Sequence, residues 1–218
     1  MLAFVSTRTP ALPPADPEKK SGAKHPPQIW TIPVGGGEAR QLTNRPLGAS
    51  SPAWSPDGRA IAFLSDVEAK DDRDRPAAAD PVADERVIED IRYRHDGRGF
   101  IAGKRTHIFT IPAGGGDPAQ RTFGDMDDGE IAWSPDGRLI AFSGKRSEGR
   151  ALNTVSAISA VPAAGGDVRA IAEMDASFGA PAWSPDGASI AFLGHERAIA
   201  SGSIIRVWTA ETAGGPPR

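Results

Sequence analysis

The chain of 218 residues contains no cysteine. This excludes disulfides, thiol nucleophiles and thiolate metal sites, and it is compatible with a reducing cytoplasm, where the protein is expected to reside. Charge of either sign is not in excess: the formal net charge is −3, so there is no basic footprint for nucleic acid. No apolar run approaches the ~18 to 20 residues that span a bilayer, and no membrane partner is expected. The opening residues Met1-Leu2-Ala3-Phe4-Val5-Ser6 lack a basic leader and a long apolar core, so they do not read as a signal peptide. Hydrophobic residues make up 39%, on the low side for a globular chain, whereas 25 glycines and 20 prolines exceed ordinary usage. That balance suits an all-β protein with many tight turns and disfavours long helices.

What is present is a repeat. Trp-Ser-Pro-Asp-Gly occurs at Trp54–Gly58, Trp133–Gly137 and Trp183–Gly187, each time followed by a near-copy of one strand: Ile61-Ala62-Phe63-Leu64, Ile140-Ala141-Phe142-Ser143 and Ile190-Ala191-Phe192-Leu193. A degenerate copy reads Tyr93-Arg94-His95-Asp96-Gly97. The Asp-Gly hairpins therefore fall at 57–58, 96–97, 136–137 and 186–187, roughly 40 to 50 residues apart, the period of propeller blades that cannot bury their apolar faces alone. Within a unit, proline presets φ for the turn, Asp can bond its own backbone, and Gly tolerates positive φ. Ala alternating with Ile and Phe suits close packing of one blade on the next, with Trp as a large apolar plug.

A second element completes the unit. Ile29-Trp30-Thr31-Ile32-Pro33 before Gly35-Gly36-Gly37 matches Ile108-Phe109-Thr110-Ile111-Pro112 before Gly114-Gly115-Gly116, with weaker copies at Ile158–Gly166 and Val207–Gly215. Each is a strand running into a glycine hairpin and a polar outer strand, giving four strands per blade. Residues 66–86 are charged and rich in Ala and Pro, a solvated excursion with no third-strand pattern. Because no third and fourth strand is evident directly after Phe63, a blade is expected to be lost there. The N-terminal blade lacks its first strand and the C-terminal blade its fourth. The expectation is one incomplete domain over residues 1–218: an all-β, partial β-propeller of about four blades of four antiparallel strands, not closed, and a segment of a longer protein or a truncated product.

The Trp-Ser-Pro-Asp-Gly repeat with Ile-Ala-Phe after it resembles the TolB-like, WD-repeat-like propeller repeat. Ile91-Arg92-Tyr93-Arg94-His95-Asp96-Gly97-Arg98-Gly99-Phe100, then Thr106-His107-Ile108-Phe109, then Asp127-Asp128-Gly129, narrows the likeness. That succession is similar to the N-terminal propeller of prolyl-oligopeptidase-family serine peptidases, in the acylaminoacyl-peptidase and dipeptidyl-aminopeptidase branch. The resemblance implies a parent in which the propeller caps a C-terminal α/β-hydrolase domain and admits short peptides, its chemistry being acyl transfer by a Ser-His-Asp triad. A TolB-like scaffold that docks proteins in the bacterial envelope, and is then periplasmic, is the alternative.

No catalytic constellation is legible in the chain itself. Gly-x-Ser-x-Gly does not occur, and Gly144-Lys145-Arg146-Ser147-Glu148-Gly149 has one residue too many before its serine. His25, His95, His107 and His195 are scattered without paired acids. Gly99–Arg105 has the wrong spacing for a phosphate loop and Arg105 in place of Ser or Thr. Asp125–Glu130 resembles a calcium loop but lacks the third acidic position and the distal Glu. Asp57, Asp136 and Asp186 are accounted for as turn residues. No catalytic, cofactor-binding or metal-ligating residue is assigned, and no cofactor is expected.

Overall fold

A computed structural model describes residues 1–8, 25–68, 94–95, 99–100, 103–146, 154–196 and 203–218. All the regular structure among them is β, arranged as four antiparallel sheets of three or four strands and one short hairpin. Blade 1 holds β1 (Leu2–Ser6), β2 (Gln28–Ile32) and β3 (Arg40–Gln41). Blade 2 holds β4 (Ser50–Trp54), β5 (Ala60–Glu68), β8 (Lys104–Pro112) and β9 (Ala119–Gln120). Blade 3 holds β10 (Asp128–Trp133), β11 (Leu139–Gly144), β12 (Ala157–Pro162) and β13 (Arg169–Ala172). Blade 4 holds β14 (Ala176–Trp183), β15 (Ser189–Glu196) and β16 (Arg206–Glu211). Arg218 exchanges backbone hydrogen bonds of 2.9 and 2.7 Å with Thr209, the position that Arg40 takes opposite Thr31 and Arg169 opposite Ala160.

The structure corrects the expected loss of a blade after Phe63. β5 pairs with β8 over its whole length, from Ala60↔Pro112 to Glu68↔Lys104. Residues 69–103 are therefore an insertion between the second and third strands of one blade. Of the excursion at 66–86, Asp66–Glu68 still belong to β5, and the rest lies outside the described residues. Among the described residues the degenerate copy at Tyr93–Gly97 begins no blade: β6 (Arg94–His95) and β7 (Gly99–Phe100) pair with each other as a two-stranded sheet. Asp96 and Gly97 lie outside the described residues. A turn motif reports a hairpin and not what its strands pair with, and that is why this copy resembled a blade.

Each Ser-Pro-Asp-Gly turn closes in the same way. In blade 2, Ser55 Oγ donates to Asp57 Oδ1 at 2.7 Å and accepts from Ala60 N at 3.0 Å, while Arg59 N donates to Asp57 Oδ1 at 3.0 Å. Ser134 with Asp136 and Ser184 with Asp186 repeat this at 2.6 Å. Gly58, Gly137 and Gly187 sit at φ +69°, +69° and +72°, where a Cβ is strained.

The core lies between the blades. Ile140 and Phe142 on one face of β11 pack with Ala62, Leu64 and Ile108 of blade 2, whereas Ala141 on the other face packs with Ile190 and Phe192 of blade 4. In blades 2 and 3 the second strand thus turns its Ile and Phe toward the preceding blade and its Ala toward the following one. Trp133 Nε1 donates to the Ala53 carbonyl at 3.0 Å and Trp183 Nε1 to the Ala132 carbonyl at 3.1 Å, linking the first strands of successive blades. On the far side, arginines at the outer strands reach forward to the next glycine hairpin: Arg40 to Ala113 and Gly114, Arg121 to Ala164 and Arg169 to Thr212, all through carbonyl oxygens.

Candidate functional site

The chain has two faces. One carries the Asp-Gly turns and glycine hairpins. The opposite one carries the last residues of each second strand, the first residues of each third strand and the links between blades. On this second face, His107 and Asp128 come together, a pairing that sequence spacing did not suggest. His107 Nδ1 lies 3.3 Å from Asp128 Oδ2 and 3.4 Å from Thr122 Oγ1, and Nε2 lies 3.0 Å from the Gly124 carbonyl. Arg146 completes the cluster with a bidentate grip on Asp128, Nε to Oδ1 at 2.9 Å and Nη2 to Oδ2 at 2.7 Å. A planar guanidinium matches a carboxylate in this way.

An imidazole and a carboxylate are two of the groups that an acyl-transfer triad uses, but the setting of this pair is that of a lock. The His107 side chain is 2% exposed and that of Asp128 0%, and both ring nitrogens face protein atoms. The cluster ties β8 of blade 2 to β10 and the end of β11 in blade 3. Blade 1 shows what His107 replaces. There Gln28 Nε2 donates to the Arg45 carbonyl at 2.8 Å, and Gln28 Oε1 accepts from Thr43 Oγ1 at 2.9 Å. The intervals coincide in both blades: 17 residues to the carbonyl and 15 to the threonine. Ile29 N and Ile108 N likewise donate to Thr43 Oγ1 and Thr122 Oγ1. Histidine here does the work of a glutamine amide. In blade 3 the corresponding residues are Ala157 and Ala172, and the polar pair is gone as a unit.

The other sequence candidates resolve individually. Asp125 accepts from Arg105 Nε at 2.8 Å and Asp127 from Thr106 N at 3.0 Å. With Asp128 held by Arg146, the stretch that resembled a calcium loop has its carboxylates turned to protein donors, and no metal-binding cluster occurs among the described residues. Lys104 and Arg105 of the phosphate-loop resemblance lie in β8. His25 is exposed, and His195, at the end of β15, contacts the Glu196 carbonyl at 3.2 Å. Ser147 and the side chain of His95 are outside the described residues. Asp57, Asp136 and Asp186 are held below the usual carboxylate range, first by the serine hydroxyl and then by the backbone N–H two residues on.

Sequence reasoning also missed a repeated backbone feature of the first strands. Ser51, Glu130 and Ala180 hold φ of +52°, +49° and +50° at one bulge in the first strand of three blades. Non-glycine residues rarely adopt this conformation, and its repetition marks a built kink. At the second of these kinks, Glu130 Oε2 accepts from Ser143 Oγ at 2.9 Å and from Ala180 N at 2.8 Å. The carboxylate thus bridges the inner strands of blades 3 and 4.

The putative TolB of Agrobacterium tumefaciens matches 89% of the chain at 20% identity with a TM-score of 0.60, over 56% of its own length. The fold is a segment of β-propeller. The Pyrococcus horikoshii acylaminoacyl peptidase matches 85% of the chain at 17% identity with a TM-score of 0.59, over 27% of its own length. In sequence, the uncharacterized peptidase YuxL of Bacillus subtilis is 33% identical over 126 residues, covering 56% of this chain. The chain spans 19% of that relative's length. No protein-family model matches the sequence. These comparisons support the resemblance to the propeller segment of prolyl-oligopeptidase-family peptidases.

Proposed function

We propose that this chain is the non-catalytic propeller portion of a serine peptidase of the acylaminoacyl-peptidase type, which covers a C-terminal α/β-hydrolase domain and restricts entry to short peptides. The observation that carries this reading is the 33% identity over 126 residues to a peptidase. The chain supplies no nucleophile elbow, because Gly-x-Ser-x-Gly is absent from its sequence. Its one described His–Asp contact is buried and bonded on every side. Acyl transfer in this reading belongs to the hydrolase domain, and the blades act as a wall. Such a protein works in the cytoplasm.

The purified chain is expected to show no serine-inhibitor-sensitive hydrolysis of aminoacyl or acyl-peptide chromogenic substrates; reproducible turnover that the inhibitor abolishes contradicts the proposal. A second reading, a TolB-like scaffold that docks proteins in the bacterial envelope, is favoured by the larger share of the Agrobacterium TolB that the chain covers, 56%.

A further inference from the structure

The cleft between blades 2 and 3 on the turn face has a charge arrangement that its counterparts lack. It is an open depression of about 650 Å3 whose lining includes Arg59, Arg121, Arg138, Trp133, Asp57 and Asp117. Arg121, half-buried, lines it with Nε donating to Thr110 Oγ1 at 2.7 Å and Nη1 to the Ala164 carbonyl at 2.9 Å. Both acceptors are neutral, and burial pulls this guanidinium below its usual range. Arg59 and Arg138 flank the opening from equivalent turns. Each Nε is 3.9 Å from the Asp of its own turn, and the two side chains are 88% and 86% exposed, a setting in which an ion pair is worth little. Asp57 is occupied by Ser55 Oγ and Arg59 N.

The repeats provide an internal control. The residue after Asp-Gly is Arg59 in blade 2 and Arg138 in blade 3 but Ala188 in blade 4. Among the described turns, only the cleft between blades 2 and 3 therefore receives an arginine from both sides. Three guanidiniums outnumber two carboxylates around an indole, and among the described residues Arg121 has no carboxylate partner.

We propose that this cleft binds a peptide segment bearing carboxylates, with Arg59 and Arg138 as forks for two acidic side chains, Arg121 as the fixed charge beside them and Trp133 as the apolar wall. An extended peptide supplies both acidic and apolar side chains, whereas a free inorganic anion uses the cations alone. The proposal holds whether or not a hydrolase domain accompanies the chain.

Calorimetric titration of the whole 218-residue chain with a capped hexapeptide containing three glutamates tests it. Saturable binding is expected at low salt, at least about tenfold weaker for the glutamine counterpart and about tenfold weaker for the double variant Arg59→Ala/Arg138→Ala. Both replaced side chains are exposed, so an unchanged melting temperature certifies that the variant is folded. No binding of the glutamate peptide, equal binding of the two peptides or undiminished binding by the double variant overturns the proposal. So does displacement of the peptide by tripolyphosphate at lower concentration than by unlabelled peptide, the mark of a simple anion site.

Discussion

At the scale of single residues, the repeat lets one blade explain another. Gln28 and His107 make the same two contacts at the same sequence intervals, so the ring nitrogens of His107 stand where an amide nitrogen and oxygen stand in blade 1. His107→Gln is therefore expected to stay within about 1 kcal/mol of the parent in chemical denaturation, whereas His107→Ala, which leaves buried polar partners unmet, costs about 2 kcal/mol. Equal losses for the two variants contradict the equivalence. The turn carboxylates make a prediction about pH. Asp57, Asp136 and Asp186 are held low by their serines, so the stability they contribute is present above the unfolded-state value and is lost as pH falls through the folded one, below about pH 4. Melting curves from pH 5 to 2 should be flatter for the triple variant Asp57→Asn/Asp136→Asn/Asp186→Asn than for the parent; parallel profiles contradict the role assigned to these turns.

At the scale of strands and blades, the alternation of Ile and Phe with Ala decides how sheets stack. Ala62 is fully buried against Ile140 and Phe142, so Ala62→Leu overpacks that interface and should cost about 1 to 3 kcal/mol. Ala191 holds the same position in blade 4, half-buried on a face with no following blade among the described residues, and Ala191→Leu is expected to cost less than half as much by the same denaturation measurement. Much of this was legible beforehand, because Trp-Ser-Pro-Asp-Gly and Ile-Ala-Phe encode local turn chemistry and period-two burial, which the chain settles within a few residues. What was not legible depends on distant pairing. The third strand of blade 2, Lys104–Pro112, carries the right pattern, but the insertion before it hid its partner, β5. The His107–Asp128–Arg146 cluster escaped because its members stand on different blades and meet only when the sheets stack. A trace of it was there all the same: Gln28 with Thr43 and His107 with Thr122 are retained together, and Ala157 with Ala172 lose polarity together.

At the scale of the molecule, the outward face of blade 4 differs from the three internal interfaces. Leu193 and Val207 of blade 4 are 45% and 70% exposed, whereas Leu64 and Ile108 in the same positions of blade 2 are 8% and 0% exposed. An apolar face of this kind promotes association, and Leu193→Lys/Val207→Lys is expected to shift sedimentation of the isolated chain toward the monomer; an unchanged distribution contradicts that role. The same face bears on the central proposal, in which four stacked blades are one wall of a larger peptidase. The measurement that tests it most directly is the sequence of the genomic DNA downstream of the codon for Arg218. The account predicts an open frame that completes the propeller and then encodes Gly-x-Ser-x-Gly, followed in order by the Asp and His of a hydrolase triad. A frame closed at Arg218, with no hydrolase gene adjacent, contradicts it.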